Sequence, residues 1–507
     1  MWAGWGSHAL QPSGFNPPAW RRRTGRERAS TMAAVHSGFV NGAWLAGREA
    51  ETVITDPATE DEIGVIALSS AGIVPTVLDS AERGFSHWRQ VSPAMRSDIL
   101  RKAAASLRRD AEDIARAIVV EQGKPLGEAR IEVAVSADII DWSAAEGQRQ
   151  YGRVIAPRDP RFHQFVQQEP VGVSLLIPSW NVPLLFVARK LSEALAAGCS
   201  AIMIGNKQVP SAATSVFAAL AEAGLPEGVA NLVFGSNTQL CAAFLGSGRV
   251  AKLSFTGSTE VGRALARQAA DHVVKTTLEL GGHAPTIIDR DVDVPTVAQT
   301  VAASKFRNCG QVCNSPTRIF VHRAIYDEFA NAFCTGAAEL KLGHGLDETS
   351  HMGPLSSARQ LRRVEAMTDD VRTRGGRVLT GGSALDGPGY FHAPTVVDQL
   401  PEDAAILNEE PFGPIAALIA YDDLDTAIAR ANALTFGLAG YCFTNSRLTQ
   451  HRVSCDLRVG MLGINTPQIS LPETPFGGLG QSGNGTEGGI EGVAGYMTPK
   501  YVSQCVG

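Results

Sequence analysis

The sequence predicts an α/β protein of two lobes, each built around a parallel sheet, with a hairpin and a C-terminal strand lying outside both. Three observations carry this. Short apolar runs alternate with segments of helical period from Val171 to Ala270, and the alternation resumes from Ala284 to Ala433. Between residues 151 and 168 two strand-like pieces flank the turn Pro157-Arg-Asp-Pro160, a hairpin signal. Strand and helix alternating at this spacing imply right-handed crossovers, and such sheets take ligands where strands end and helices begin.

In chain order, the first 31 residues stand apart: they hold three of the seven Trp and the stretch RRRTGRER, with five Arg against one Glu. This segment is expected to be a disordered extension rather than a transit peptide, because no apolar face accompanies its arginines. From Ala94 to Gly147 apolar residues recur three and four apart (Ile99, Leu100, Ala103, Leu107, Ile114, Ile118), which predicts two or three long helices. The runs Val171–Ile177, Ala201–Ile204, Asn231–Phe234 and Val250–Phe255 are predicted strands. Leu184–Ala197, Ser211–Ala223, Leu240–Leu245 and Thr259–Ala270 are the helices between and after them. The second lobe takes Thr286–Ile288, Arg318–Val321 and Ala416–Tyr421 as strands, with helices at Val294–Phe306, from Ala324, and at Leu424–Ala433. Tyr496–Cys505 alternates again, like a closing strand.

The 507 residues suggest about three domains' worth of chain. Lys plus Arg is 45 against 51 for Asp plus Glu, a net charge of −6, so no basic excess exists to neutralise phosphates and nucleic acid is excluded as a main partner. Eight cysteines without a CxxC pair, and without His at zinc spacing, predict neither a disulfide framework nor a metal site. A reducing, cytoplasmic setting follows. The longest apolar stretch, Val171 to Val187, is broken by Pro178, Asn181 and Pro183 and cannot span a bilayer.

Several motifs bear on chemistry. Gly478-Leu-Gly480-Gln-Ser-Gly483 fits GxGxxG but lacks a strand before it and a helix after it, so it is expected to be a glycine-rich loop. Gly257-Ser258 lies between a strand and a helix, where free backbone N–H groups can hold a phosphate. Cys313, in Asn308-Cys-Gly-Gln-Val-Cys313-Asn-Ser315, has small and polar neighbours, unlike a structural cysteine, and a substrate can approach it. Glu279 is flanked by two leucines, and a carboxyl in apolar company gains proton affinity suited to a general base. Asn181 is either a turn former or a fixed amide donor for an oxyanion.

These signals converge on a resemblance covering residues 38 to 503. The blocks Glu121-Gln-Gly-Lys-Pro125, Trp180-Asn181, Ala194-Leu-Ala-Ala-Gly-Cys199, Phe255-Thr-Gly-Ser-Thr-Glu260, LELGG around Glu279, KFRNCGQVC ending at Cys313, Glu410-Pro-Phe-Gly-Pro414 and Pro475-Phe-Gly-Gly478 resemble the aldehyde dehydrogenase superfamily. Within it the chain is most similar to succinate-semialdehyde dehydrogenases. The resemblance implies a Rossmann-type cofactor domain (32–147 and 170–281), an α/β catalytic domain (282–480), and oligomerisation elements (148–169 and 494–507) pairing subunits into a homodimer or homotetramer. It implies a non-acylating enzyme in which Cys313 attacks the aldehyde, Asn181 steadies the oxyanion, and Glu279 activates the water that hydrolyses a thioester. The cofactor would be NADP or NAD. Gly257 and Ser258 fall at its pyrophosphate, Glu410 at the nicotinamide ribose, and Phe412, Trp180, the Leu280 backbone and Lys190 near the ring. Arg189, Arg307 and Ser470 match the groups that hold a distal carboxylate, a role suited to forked guanidinium bonds.

One block departs from the family pattern. Ile204-Gly-Asn-Lys207 replaces Lys-Pro-Ala-Glu or Lys-Pro-Ala-Ser, so Lys207 stands where a residue often accepts from the ribose 2′-hydroxyl. An ammonium there attracts a 2′-phosphate, and the balance tips slightly toward NADP. A four- or five-carbon semialdehyde acid is the lead substrate, with a neutral or aromatic aldehyde as the alternative. A catalytically silent binding protein and a cofactor-free cysteine hydrolase are the rival classes; the hydrolase would need His283 as its base. Cys309, four residues before Cys313, is expected to be an inert spacer rather than a redox partner.

Overall fold

The computed structural model describes residues 34–45 and 50–506, so the extension predicted over residues 1–31 lies outside the described residues. Three helices, Pro93–Arg109, Ala111–Gln122 and Leu126–Glu146, occupy the helical-period region near the amino end. Ser92 starts the first by accepting a hydrogen bond from the Met95 N–H, and Gly123, in the left-handed region, ends the second.

The first sheet has eight strands, and its parallel core runs in the order Lys275–Glu279, Lys252–Thr256, Val173–Ile177, Ser200–Ile204, Ala230–Val233. Val173–Ile177 and Ser200–Ile204 are buried at every position, which is why, Ser174 and Ser200 apart, they are apolar in the sequence with no polar alternation. The chain fills this core outward in both directions from Val173–Ile177, so the order reverses beside Lys252–Thr256. Open sheets of this kind take ligands outside the carboxyl ends of the strands at such a reversal. Helices Pro183–Ala197 and Pro210–Glu222 pack on one face with the three amino-terminal helices, in a core containing Trp88, Leu191, Phe217 and Phe234.

The second sheet has seven strands in the order Arg377–Thr380, Thr395–Asp398, Ile415–Tyr421, Pro316–His322, Ala284–Ile288, Ala439–Phe443, Met461–Ile464. All its pairings are parallel except the first. The chain crosses between the sheets through Leu280–His283. Glu279 is the last residue of its strand, and Cys313 lies just before the strand Pro316–His322. The two thus meet where the carboxyl edge of one sheet faces the amino edge of the other.

The Gly478–Gly483 stretch is a loop carrying two-residue strands at each end. Leu479–Gly480 pairs with Phe436–Gly437, and Gly483–Asn484 adds antiparallel to Lys275–Glu279. Ser482 completes the stitch: its carbonyl accepts from the Leu280 N–H, and its hydroxyl donates to the Gly281 carbonyl. Outside both lobes, Met497–Cys505, Phe162–Pro170 and Arg153–Ile155 form a three-stranded antiparallel sheet, the predicted hairpin joined by the predicted closing strand.

Candidate active site

The segment carrying Cys313 is folded unusually tightly. Asn308, Cys309 and Gly310 follow one another with φ of 50°, 55° and 69°, a left-handed turn that throws the chain back toward the first sheet. Non-glycine residues held there mark local strain at a functional loop. Cys309 is turned into the core of the second lobe and is 1 % exposed, whereas Cys313 is half-buried at the wall of a cavity. Gly282 lies so close to the Cys313 carbonyl that a β-carbon there would come within 2.3 Å of it, so the second glycine of LELGG is required by this approach.

The cavity, of about 200 Å³, brings Cys313 and Asn181 together with Arg189, Arg307, Ser470 and Phe476. The helix Leu126–Glu146 contributes Glu128, Ile131, Glu132 and Val135, and Lys124 stands just before it. Sequence reasoning missed that contribution; its signal, the Glu121–Pro125 block, carries no chemistry until the fold places it. Asn181 donates from its amide to the Gln311 carbonyl at 3.0 Å, which points the side chain at the loop of the nucleophile.

Burial disfavours ionisation of the site's thiol and carboxyls. Burial, with Glu410 and Glu279 adding to it, pushes the Cys313 thiol up to about 12, opposed by its own backbone N–H and by Arg307. Glu279 is 2 % exposed, and neither carboxyl oxygen is hydrogen-bonded. Its proton affinity is raised well above the carboxylate range by burial first and then by the negative charge of Glu487. Lys190 is fully buried, its ammonium held by Glu487 at 2.5 Å and Ser254 at 2.9 Å. It therefore acts on the site through this pair, behind Glu279, and does not present a free ammonium. Glu487 was not anticipated from the sequence. Its signal is a glutamate in a glycine-rich segment, buried only because Glu487–Gly488 pairs with Pro475–Phe476.

Arg189 is the most unusual group present. It is 1 % exposed, its guanidinium lies 5.2 Å from the centre of the Phe476 ring, and none of its three side-chain nitrogens has a hydrogen-bond partner. Burying a cation without partners is costly. Arg307, by contrast, is exposed at the cavity rim and Ser470 is half-buried.

The residues expected to face a dinucleotide lie at or near the strand ends. Gly257 and Ser258 follow Thr256 at the reversal; the Gly257 N–H donates to the Glu279 carbonyl, and Ser258 caps the helix Thr259–Ala270 by accepting from the Val261 N–H. Trp180 follows the end of Val173–Ile177 and packs edge-on against Phe412, ring centres 5.5 Å apart. Glu410 accepts from the Gly282 N–H at 3.0 Å and is raised to about 7 by burial. Leu280 joins the strand of Glu279 to Gly281 and is buried. Lys207 lies beyond Ser200–Ile204, half-buried, and no carboxylate or carbonyl among the described residues takes its ammonium. A helix N-terminus, an aromatic pair and an unclaimed cation at the strand ends fit a phosphorylated dinucleotide.

His283 cannot serve a hydrolase. Thr317 and the Ile406 carbonyl hold its two ring nitrogens, and burial keeps it neutral. Among the described residues no group of three or more His, Cys, Asp or Glu side chains could hold a metal ion, and no helix is long and apolar enough to cross a membrane.

The chain belongs to the aldehyde dehydrogenase family, whose pattern matches residues 44–502, and its class is that of an aldehyde-oxidising enzyme. It is 41 % identical over 466 residues to a 4-(hydroxymethyl)benzenesulfonate dehydrogenase of Comamonas testosteroni, covering 92 % of this chain and 97 % of that one. It is 38 % identical to an NADP(+) succinate-semialdehyde dehydrogenase of Escherichia coli, again over 92 % of this chain and 97 % of the relative. The crystal structure of a succinate-semialdehyde dehydrogenase from Burkholderia pseudomallei superposes with a TM-score of 0.91 at 36 % identity, covering 93 % of this chain and 98 % of that one.

Proposed function

We propose that the protein oxidises an aldehyde carrying an anionic group at its far end to the carboxylic acid, using NADP in preference to NAD. The observation that carries this reading is Arg189, a buried guanidinium whose nitrogens have no hydrogen-bond partner, in the wall of the cavity that holds Cys313. An anionic substrate would supply the missing hydrogen-bond acceptors, with Arg307 and Ser470 closing on it from the rim. A short semialdehyde acid such as succinate semialdehyde is the lead. An aromatic aldehyde bearing an acidic group is the second reading, favoured by the apolar wall of Leu185, Phe186, Val312 and Phe476 and by the benzenesulfonate relative.

In this mechanism Gly257 and Ser258 would hold the cofactor's pyrophosphate, Lys207 its 2′-phosphate, Glu410 the ribose, and Trp180, Phe412 and the Leu280 backbone the ring. The bound nicotinamide supplies the carbon that accepts hydride. Cys313 loses its proton to bulk solvent and its sulfur bonds to the aldehyde carbon while the C=O π pair moves onto the oxygen, forming a thiohemiacetal whose oxygen takes the negative charge. The Asn181 amide and the Cys313 backbone N–H hold that oxygen, a donor of this kind contributing roughly 3–4 kcal/mol. Loss of hydride leaves a thioester on Cys313. Glu279, its proton affinity raised by burial, then takes a proton from water as the oxygen attacks the thioester and the thiol departs. The eight free cysteines suit a cytoplasmic enzyme, and the exposed three-stranded sheet suits assembly into a homodimer or homotetramer.

Absorbance at 340 nm with a panel of anionic and neutral aldehydes and both cofactors tests the reading. Arg189→Met is expected to raise KM for succinate semialdehyde about 100-fold while sparing propionaldehyde. Equal wild-type kcat/KM for the two aldehydes would overturn it.

A further inference from the structure

Lys124 and Glu132 form a buried ion pair, Nζ to Oε2 at 2.5 Å, with the two residues 4 % and 5 % exposed. The pair has no part in the chemistry described so far. Its remaining hydrogen bonds all go to one place. Lys124 Nζ donates to the Asn181 carbonyl at 2.9 Å, and Glu132 Oε1 accepts from the Leu184 N–H at 2.8 Å. The two charges therefore grip residues 181–184 at both ends, Lys124 at the Asn181 carbonyl and Glu132 at the Leu184 N–H. That segment leads into the helix Pro183–Ala197, where the Phe186 N–H donates to the Val182 carbonyl and the Leu184 N–H to Glu132.

The grip extends to the loop of the nucleophile. Asn308 Nδ2 donates to the same Asn181 carbonyl at 2.8 Å and to the Gln311 carbonyl at 3.3 Å, while Gln122 Nε2 donates to Asn308 Oδ1 at 2.9 Å. The Asn308 N–H is held by Glu128, one turn before Glu132 on the same helix. Charged groups on one helix and its leading turn thus hold the backbone of Asn181 and, through Asn308, the chain that bears Cys313.

We propose that the Lys124–Glu132 pair is a positioning device that fixes the Asn181 amide relative to Cys313, so that the oxyanion donor is in place before substrate arrives. This rests on the reading of Asn181 as that donor. A donor displaced by about 1 Å costs on the order of 100-fold in rate, and losing one costs 100- to 1,000-fold. Lys124 acts through Asn181 and is a positioning residue.

The test is a double-mutant cycle on kcat in the full-length enzyme, with Lys124→Met, Asn181→Ala and their combination, using the aldehyde on which the wild type is most active. Lys124→Met is expected to lower kcat about 100-fold with the KM for NADP unchanged. Combined with Asn181→Ala, it is expected to lower kcat little further than Asn181→Ala alone. Alkylation of Cys313 by iodoacetamide, which creates no oxyanion, is expected to keep its wild-type rate in Lys124→Met. Lys124→Arg, which preserves the pair, is expected to recover at least a tenth of the activity. If Lys124→Met leaves Glu132 uncompensated and fails to fold, Lys124→Met/Glu132→Gln removes both charges and enters the cycle in its place. Additive losses, or a pair-deficient enzyme with normal kcat, overturn the positioning role while leaving Asn181 as donor. An Asn181→Ala enzyme with normal kcat would overturn the donor reading itself, and the positioning role with it.

Discussion

A thiol meant to act as a nucleophile is held in the free protein where ionisation is suppressed. Cys313 is pushed up to about 12 by burial and by the carboxyls of Glu410 and Glu279, so the thiolate is scarce at neutral pH. Because only the thiolate reacts, alkylation of the free enzyme by iodoacetamide should rise roughly tenfold per pH unit between about pH 7 and pH 10. A plateau beginning near pH 8 would show an ionised nucleophile instead. The unclaimed Lys207 ammonium makes a second expectation: Lys207→Ala should lower kcat/KM for NADP about tenfold and leave that for NAD within a factor of two, as initial rates with each cofactor will show. Cys313, Glu279 and Asn181 could be picked from the sequence because each has neighbours at odds with a purely structural residue. Lys124, Glu132 and Glu487 could not. Each is an ordinary charged residue in sequence, and its significance arises from partners 52 to 297 positions away.

Elements buried on both faces were the most legible. Ser200–Ile204 and Val173–Ile177, Ser174 and Ser200 apart, are apolar with no polar alternation because helices cover both sides of the sheet, and their ends fall within two residues of the predicted ones. The pairing partners of Gly478–Gly483 were illegible because strands of two residues have no period to detect. Yet this stretch fixes the strand bearing Glu279. Gly483 has φ +141°, and a β-carbon there would meet the Leu278 carbonyl at 1.9 Å. Gly483→Ala is expected to lose roughly 2–3 kcal/mol in urea unfolding and to lower kcat by more than tenfold. Unchanged stability would show that the pairing is dispensable.

Taken together, the two sheets are joined edge to end with the chemistry between them, while the third sheet projects from the body. Val154 and Tyr501 are 75 % and 55 % exposed on it, and its two outer strands have open edges. Apolar side chains beside unpaired strand edges favour association with another copy. Val154→Lys combined with Tyr501→Lys should shift the elution of the protein in size-exclusion chromatography toward the monomer. An unaltered elution volume would show that this sheet does not mediate association. The sequence showed this hairpin and closing strand by alternation alone, but only the register between Phe162–Pro170 and Met497–Cys505 reveals that they make one sheet.

The stitch between Gly483 and Glu279 also bears on synthesis. Because the general base borrows its last backbone partner from a segment laid down some 200 positions later, a polypeptide still emerging from the ribosome carries Cys313 long before Glu279 is locked in place. A prematurely terminated product ending before Gly478 should therefore carry Cys313 without the pairing that locks Glu279, and an aldehyde captured by its thiol should be given back unchanged instead of turned over.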